Sequence, residues 1–184
     1  SQVDQSYARE KNLTTWDVVT IASMIEREAQ VPAERKLVAA VIYNRLEEGM
    51  PLGIDATIGY IDPDPSNGLP VSDFEIDSPY NTRLHTGLPP TPIASPGIPS
   101  LRAALNPADV PYLFFVAGQD GRHVFSRTYG EHLRAIAQVR STCAFDLGCC
   151  LARVGLDARI ANADGARLAE RARQQRLAQA GHTF

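Results

Sequence analysis

Two glutamates in one short stretch have the clearest chemical potential in this sequence. In Ala22-Ser23-Met24-Ile25-Glu26-Arg27-Glu28-Ala29 they stand two residues apart, which on a helix is about 200° around the axis. They cannot act as a facing pair. Each borders an apolar stripe, Glu26 beside Val19 and Glu28 beside Ile21. Either could lie at the edge of a cleft where burial raises a carboxyl pKa and suits it to general acid work. From the helix alone, the plainer reading of Glu-Arg-Glu is a solvated charged turn. The three cysteines, Cys143, Cys149 and Cys150, fall near the C-terminus. Their number and the adjacent pair do not match zinc-site spacing, and no histidine stands at a ligand interval, so no metal is expected. A disulfide from Cys143 to one of the pair would need an oxidising compartment.

The helix that must carry the glutamates begins at Thr14. Thr14-Thr15-Trp16-Asp17 reads as a capping box, with the Thr14 hydroxyl accepting from the Asp17 N–H and the Asp17 carboxylate reaching back. Leu13 and Val18 are spaced as a hydrophobic staple, and Val18, Ile21, Ala22, Ile25 and Ala29 recur at helical period. Pro32 suits the first turn of a second helix with Leu37, Val38, Val41, Ile42 and Leu46 on one face, and Gly49 suits its left-handed C-terminal cap. The two form a helical hairpin. Eleven of the thirteen prolines then fall between Pro63 and Pro111. Proline fixes φ and removes a ladder donor, which excludes a regular sheet or long helix there. Interspersed Ile58, Tyr60, Phe74, Tyr80, Leu84, Leu88, Ile93 and Ile98 favour an ordered, loop-rich segment over a disordered linker. Ser100 is placed to cap a short helix through Leu105. Residues 112–116 and 123–126 read as a hairpin about the Asp120-Gly121 turn. Thr128 and Glu131 repeat the capping-box pattern before a last helix carrying Leu133, Ile136 and Val139.

The chain's 184 residues support one sizeable core. A formal net charge of −3, with both signs spread through the chain, provides no basic field for a nucleic-acid backbone. No apolar run approaches the roughly 20 residues of a membrane helix, and the polar first residues, Ser1 to Asn12, have no signal-peptide character.

Read together, the motifs resemble the catalytic domain of MltG-type (YceG-like) murein transglycosylases, whose helix motif is similar to A-S-I-I-E-K-E-T. The likeness continues through Tyr43-Asn44-Arg45-Leu46, Gly49-Met50-Pro51-Leu52, Asp55-Ala56-Thr57, Ser78-Pro79-Tyr80-Asn81-Thr82 and Gly87-Leu88-Pro89-Pro90. It runs on through Pro92-Ile93-Ala94-Ser95-Pro96-Gly97, Ala103-Ala104-Leu105-Asn106-Pro107, Tyr112-Leu113-Phe114-Phe115-Val116, His123-Val124-Phe125-Ser126 and Thr128-Tyr129-Gly130-Glu131-His132. Any one of these is a weak signal; their order over roughly residues 13–140 makes coincidence remote. The chain departs from the pattern at Gly53, where a glutamine is usual before an Asp-Pro-Thr, and at Ala29, where threonine is usual.

The resemblance implies non-hydrolytic cleavage of the β-1,4 bond between N-acetylmuramic acid and N-acetylglucosamine in nascent glycan strands. The product is a 1,6-anhydro end, and the cut limits strand length. One carboxyl group suffices, protonating the leaving oxygen and then taking the proton of the muramyl C6 hydroxyl, whereas ordinary glycosidases use two. The catalytic role falls on Glu28, with Glu26 as support. Asn44, Arg45, Asn81 and Thr82 are candidates to hydrogen-bond acetamido or hydroxyl groups, although asparagine is as often a turn former. Asp55 and Thr57 could line the cleft or cap a turn. Tyr80, like Tyr43 and Tyr112, could stack on a sugar, although aromatics are more often core. His123 could orient a neighbour.

The fold class expected is α+β: a helical hairpin bearing the glutamate, proline-rich cleft-forming loops, a short β-hairpin and a closing helix. The expected divisions are a flexible N-terminal remnant over 1–12, the catalytic domain over 13–140 and a C-terminal appendage over 141–184. The appendage holds the cysteines and an Ala/Arg-rich helix near 166–180. No cofactor is expected. By resemblance the partners are peptidoglycan strands and peptidoglycan synthases. The site of action is the extracytoplasmic face of the inner membrane, reached through an anchoring segment absent from this chain. Two rival readings are a lysozyme-like hydrolase on the same fold and a non-catalytic glycan-binding module.

Overall fold

A computed structural model describes residues 4–62, 69–118 and 120–143. The chain divides into two compact units, Ser1–Thr128 and Tyr129–Phe184. Among the described residues, six helices and one two-stranded antiparallel sheet make the α+β class. Cys149, Cys150 and the helix expected near 166–180 lie outside the described residues.

The first unit opens with α1, Ser6–Glu10. This stretch, expected to be a flexible remnant, buries Ala8 in the core and sets Tyr7 edge-on to Tyr43 at 5.1 Å between ring centroids. Helix α2, Thr15–Glu28, starts at the capping box foreseen. The Asp17 N–H donates to the Thr14 hydroxyl at 3.2 Å, and the Thr14 N–H donates to the Asp17 carboxylate at 2.8 Å. Ile21, Met24 and Ile25 of α2 are fully buried. A short 3₁₀ turn, Pro32–Glu34, leads into α3, Arg35–Glu47. That helix stops where Gly49 takes φ +63° and its N–H returns to the Leu46 carbonyl, the left-handed terminus glycine adopts at no steric cost. Residues 38–43 of α3 are all buried, more than the single face the periodicity suggests, because the helix is enclosed by α2, the helix at Ile98–Leu105 and the β-hairpin.

Between Pro51 and Pro111 the chain is ordered by tethers more than by regular structure. It contains α4, Asp55–Ile61, a 3₁₀ turn at Val71–Glu75, and α5, Ile98–Leu105. The Ile93 N–H donates to the Ser23 hydroxyl at 3.0 Å, and the Trp16 indole N–H reaches the Pro90 carbonyl at 3.3 Å. Ser100 does not cap α5 as expected. Gly97 holds the N-cap position with proline in the first turn, and the Ser100 side chain is buried within the helix. Strands β1, Phe114–Ala117, and β2, His123–Ser126, pair with Phe114 opposite Ser126. In the second unit, α6 covers Tyr129–Cys143, with Ala135, Ile136 and Val139 buried. No helix among the described residues is long and apolar enough to cross a membrane.

Candidate active site

The two glutamates of α2 leave the helix for different partners, as their angular separation requires. Glu26 turns toward α5. Its Oε2 accepts from the Ser100 hydroxyl at 2.5 Å and from the Gly97 N–H at 3.2 Å. Ser100 in turn accepts from the Arg35 Nε at 3.1 Å. Glu26 therefore supplies the anion at the amino end of α5 that Gly97, having no side chain, cannot. The Ser100 hydroxyl first, then the Gly97 N–H, hold its carboxyl below the ordinary glutamate range; partial burial opposes them and the Arg35 charge assists.

A depressed pKa makes Glu26 a stabilising group only while ionised. Its contribution is complete above the unfolded value of about 4.3 and is lost as pH falls through the lower folded value. Glu26→Gln should therefore lower the thermal midpoint at pH 7 and flatten the loss of stability below about pH 4. Thermal unfolding of both proteins across that range measures the difference, and equal slopes would remove this role.

Glu28 is the last residue of α2, which ends as Ala29 turns to an extended conformation. Its half-buried carboxylate meets α4 at that helix's first turn, where the Ala56 N–H donates to Oε1 at 3.3 Å. The adjacent Asp55 is turned aside. Its Oδ1 takes the Arg83 Nε at 2.9 Å and also binds Nη2, and the Arg83 guanidinium lies 5.0 Å from the Phe74 ring. The two carboxylates at the head of α4 thus differ in the partners described: Asp55 binds a buried arginine, and Glu28 accepts a backbone amide.

Of the other sequence candidates, Thr57 and Thr82 support the helix end that meets Glu28, and the rest are engaged by partners of their own. Thr57 and Thr82 are buried and share a 3.0 Å hydrogen bond. The Thr57 hydroxyl donates to the Ile54 carbonyl and that of Thr82 accepts from the Ile54 N–H, fixing the start of α4. Asn81 is fully buried, donating to the Phe74 and Ile76 carbonyls at 3.1 and 2.9 Å and accepting from the Arg83 N–H at 3.1 Å. The Asn44 amide donates to the Val110 and Tyr112 carbonyls. Arg45 donates to the Leu113, Pro51 and Leu52 carbonyls. His123 Nδ1 lies 2.8 Å from Glu34 Oε2, and the His123 N–H also reaches that carboxylate, a buried pair joining β2 to the entrance of α3. Tyr80 differs: its hydroxyl shares a hydrogen bond with Thr91 at 2.8 Å, and its half-buried ring sits 5.1 Å from that of Tyr60. Tyr43 is core, its hydroxyl on the Ala104 carbonyl.

Gly53 has φ +62°, and a Cβ there would lie 3.0 Å from Arg45 Nη1. Glycine thus lets the Arg45 guanidinium press against the chain at that turn. Sequence reading passed over Arg83 and Glu34, and read Ser100 only as a helix cap. Arg83 directly follows the Asn81-Thr82 motif and was within reach; the pairings of Glu34 and Ser100 join partners 89 and 74 residues away and carried no local signal. Among the described residues, no group of three or more His, Cys, Asp or Glu side chains is placed to hold a metal ion.

The same domain occurs in known proteins. The chain is 42% identical over 131 residues to an endolytic murein transglycosylase of Bacillus subtilis, an alignment covering 71% of this chain and 36% of that protein. It is 34% identical over 139 residues to an endolytic murein transglycosylase of Streptococcus pneumoniae, covering 72% of this chain and 25% of that one. A crystal structure of a yceG-like protein from Listeria monocytogenes superposes with a TM-score of 0.63 at 38% identity, over 70% of this chain and 41% of that one. The chain thus spans about a third or less of the two enzymes it matches. The profile of the YceG-like family matches residues 1–138, and the chain belongs to that family.

Proposed function

We propose that this chain is the catalytic domain of an endolytic lytic transglycosylase, and that Glu28 is its acid and base. The observation that carries the reading is the place of Glu28 at the head of α4, where its carboxylate accepts the Ala56 N–H and its neighbour Asp55 is bound by Arg83. Glu28 sits where two helix ends meet. The carbonyl end of α2 disfavours negative charge and the amide end of α4 favours it, a setting suited to a group that must give a proton and then take one.

In the proposed step the Glu28 carboxyl protonates the oxygen linking N-acetylmuramic acid to N-acetylglucosamine, and the C1–O bond breaks. The resulting carboxylate removes the C6 hydroxyl proton as that oxygen closes on C1. The products are a 1,6-anhydromuramyl end and a free 4-hydroxyl on the other strand. Atoms balance without water, and Glu28 returns to its starting form. No second carboxylate is needed, which accords with the engagement of Asp55.

Action on peptidoglycan places the domain outside the cytoplasm, tethered by a segment of the longer protein and working beside the synthases that supply nascent strands. Mass spectrometry of digested glycan tests the chemistry. Fragments with anhydro ends are expected; products uniformly heavier by one water would identify a hydrolase instead.

A further inference from the structure

The exposed side of α4 carries a feature that the proton transfers do not use. Its inner face is Thr57 and Ile58, both buried, whereas Gly59 and Tyr60 face solvent, with Tyr60 half exposed at 50%. A tyrosine ring left open to water forgoes much of the burial that aromatic residues supply to a core. Tyr60 is also not free to swing. It leans on Tyr80 at 5.1 Å with 43° between the ring planes, and Tyr80 is pinned from its far end by Thr91. The outer ring is thus supported by an inner ring that is itself anchored.

The position relative to Glu28 gives this pair its meaning. The Ala56 N–H that holds Glu28 belongs to the residue four before Tyr60. Four residues are about 6 Å along a helix. That displacement is comparable to one pyranose unit. A pyranose ring of the glucosamine type presents axial C–H groups on its faces, and these pack against the electron-rich face of an aromatic ring, while its hydroxyl and acetamido groups stay at the rim in water.

We propose that Tyr60, backed by Tyr80, is a stacking platform for a hexosamine ring of the glycan strand, next to the bond that Glu28 cleaves. The proposal rests on the reading of the domain as a glycan-cleaving enzyme and assigns it a binding subsite. Because stacking uses the ring face and not the hydroxyl, the substitutions separate it from general stability. Tyr60→Phe should behave as the parent. Tyr60→Ala and Tyr60→Leu should each raise KM for purified uncrosslinked glycan strands about tenfold, with kcat changed less than about twofold. Thermal midpoints serve as the control on folding, and Tyr60→Leu keeps apolar bulk should the alanine variant lose structure.

An unchanged KM in Tyr60→Ala and Tyr60→Leu, in an enzyme that does cleave, would overturn the platform and leave the catalytic reading standing. Full retention by Tyr60→Leu alone would also overturn it, since plain apolar contact would then suffice. If the parent protein cleaves nothing, retention on insoluble peptidoglycan decides the matter. Binding weakened by Tyr60→Ala would support the platform while the catalytic reading fails, and binding unaffected by it would end both.

Discussion

Glu28→Gln should reduce the release of anhydro-ended strands by about 10⁴-fold, the upper end for loss of a general acid, because one group serves both proton transfers. The amide has the shape of the carboxyl, and its oxygen can still accept from the Ala56 N–H that now binds Oε1. It cannot donate a proton to the leaving oxygen or recover one from the C6 hydroxyl. The fold and the affinity for glycan should therefore stay close to those of the parent. Glu26→Gln should show the opposite division, with modest loss of rate and a measurable loss of stability, because Glu26 is spent on Ser100 and Gly97 of α5. Anhydro-muropeptide release and thermal unfolding, measured on both variants, separate the two roles. A near-normal rate in Glu28→Gln beside a dead Glu26→Gln would reassign the acid while leaving the family unchanged.

The part of the fold that sequence could read is the part that local interactions determine. The capping box at Thr14 and Asp17, the terminal Gly49 and the hairpin about Asp120-Gly121 each need only neighbours within a few residues, and each was legible from its spacing. Helix α4 was not. It has seven residues, a glycine inside it and no side-chain cap, so its propensity is poor. It exists because Thr57 and Ile58 are buried and because Glu28, Arg83 and Thr82 bind the residues of its amino end. Those partners lie 28 residues away in either direction.

The polar motifs illustrate a deeper limit. Asn44, Arg45 and Asn81 have the donors that would suit sugar hydroxyls, and nothing in their spacing tells a sugar from a carbonyl. In a segment crowded with proline, many carbonyls have no sheet or helix donor opposite them. The side-chain amides and the guanidinium supply those donors: Phe74 and Ile76 from Asn81, Val110 and Tyr112 from Asn44, and Pro51, Leu52 and Leu113 from Arg45. The motif that looked like recognition chemistry is, in this geometry, what makes an irregular chain hold one shape.

Asn81 tests that view most directly. Asn81→Ala should destabilise the domain by about 3 kcal/mol or more, because it strands the Phe74 and Ile76 carbonyls and the Arg83 N–H in a buried site, and each orphaned group costs about 1–3 kcal/mol. A fall of roughly 10 °C in the thermal midpoint is the corresponding scale. Asn81→Asp should be no better. The carboxylate keeps the acceptor for Arg83 but turns an oxygen toward two carbonyl oxygens at positions where the amide now donates at 3.1 and 2.9 Å. Activity measured well below either midpoint should be lost through the displacement of Arg83, whose guanidinium holds Asp55 at the head of α4, and therefore mainly in kcat. A sugar-binding role makes the contrary forecast: an unmoved midpoint with KM raised and kcat retained. Denaturation curves and strand-release kinetics on the same two variants distinguish these outcomes, because a side chain with no exposed surface can reach substrate only if the turn around it opens.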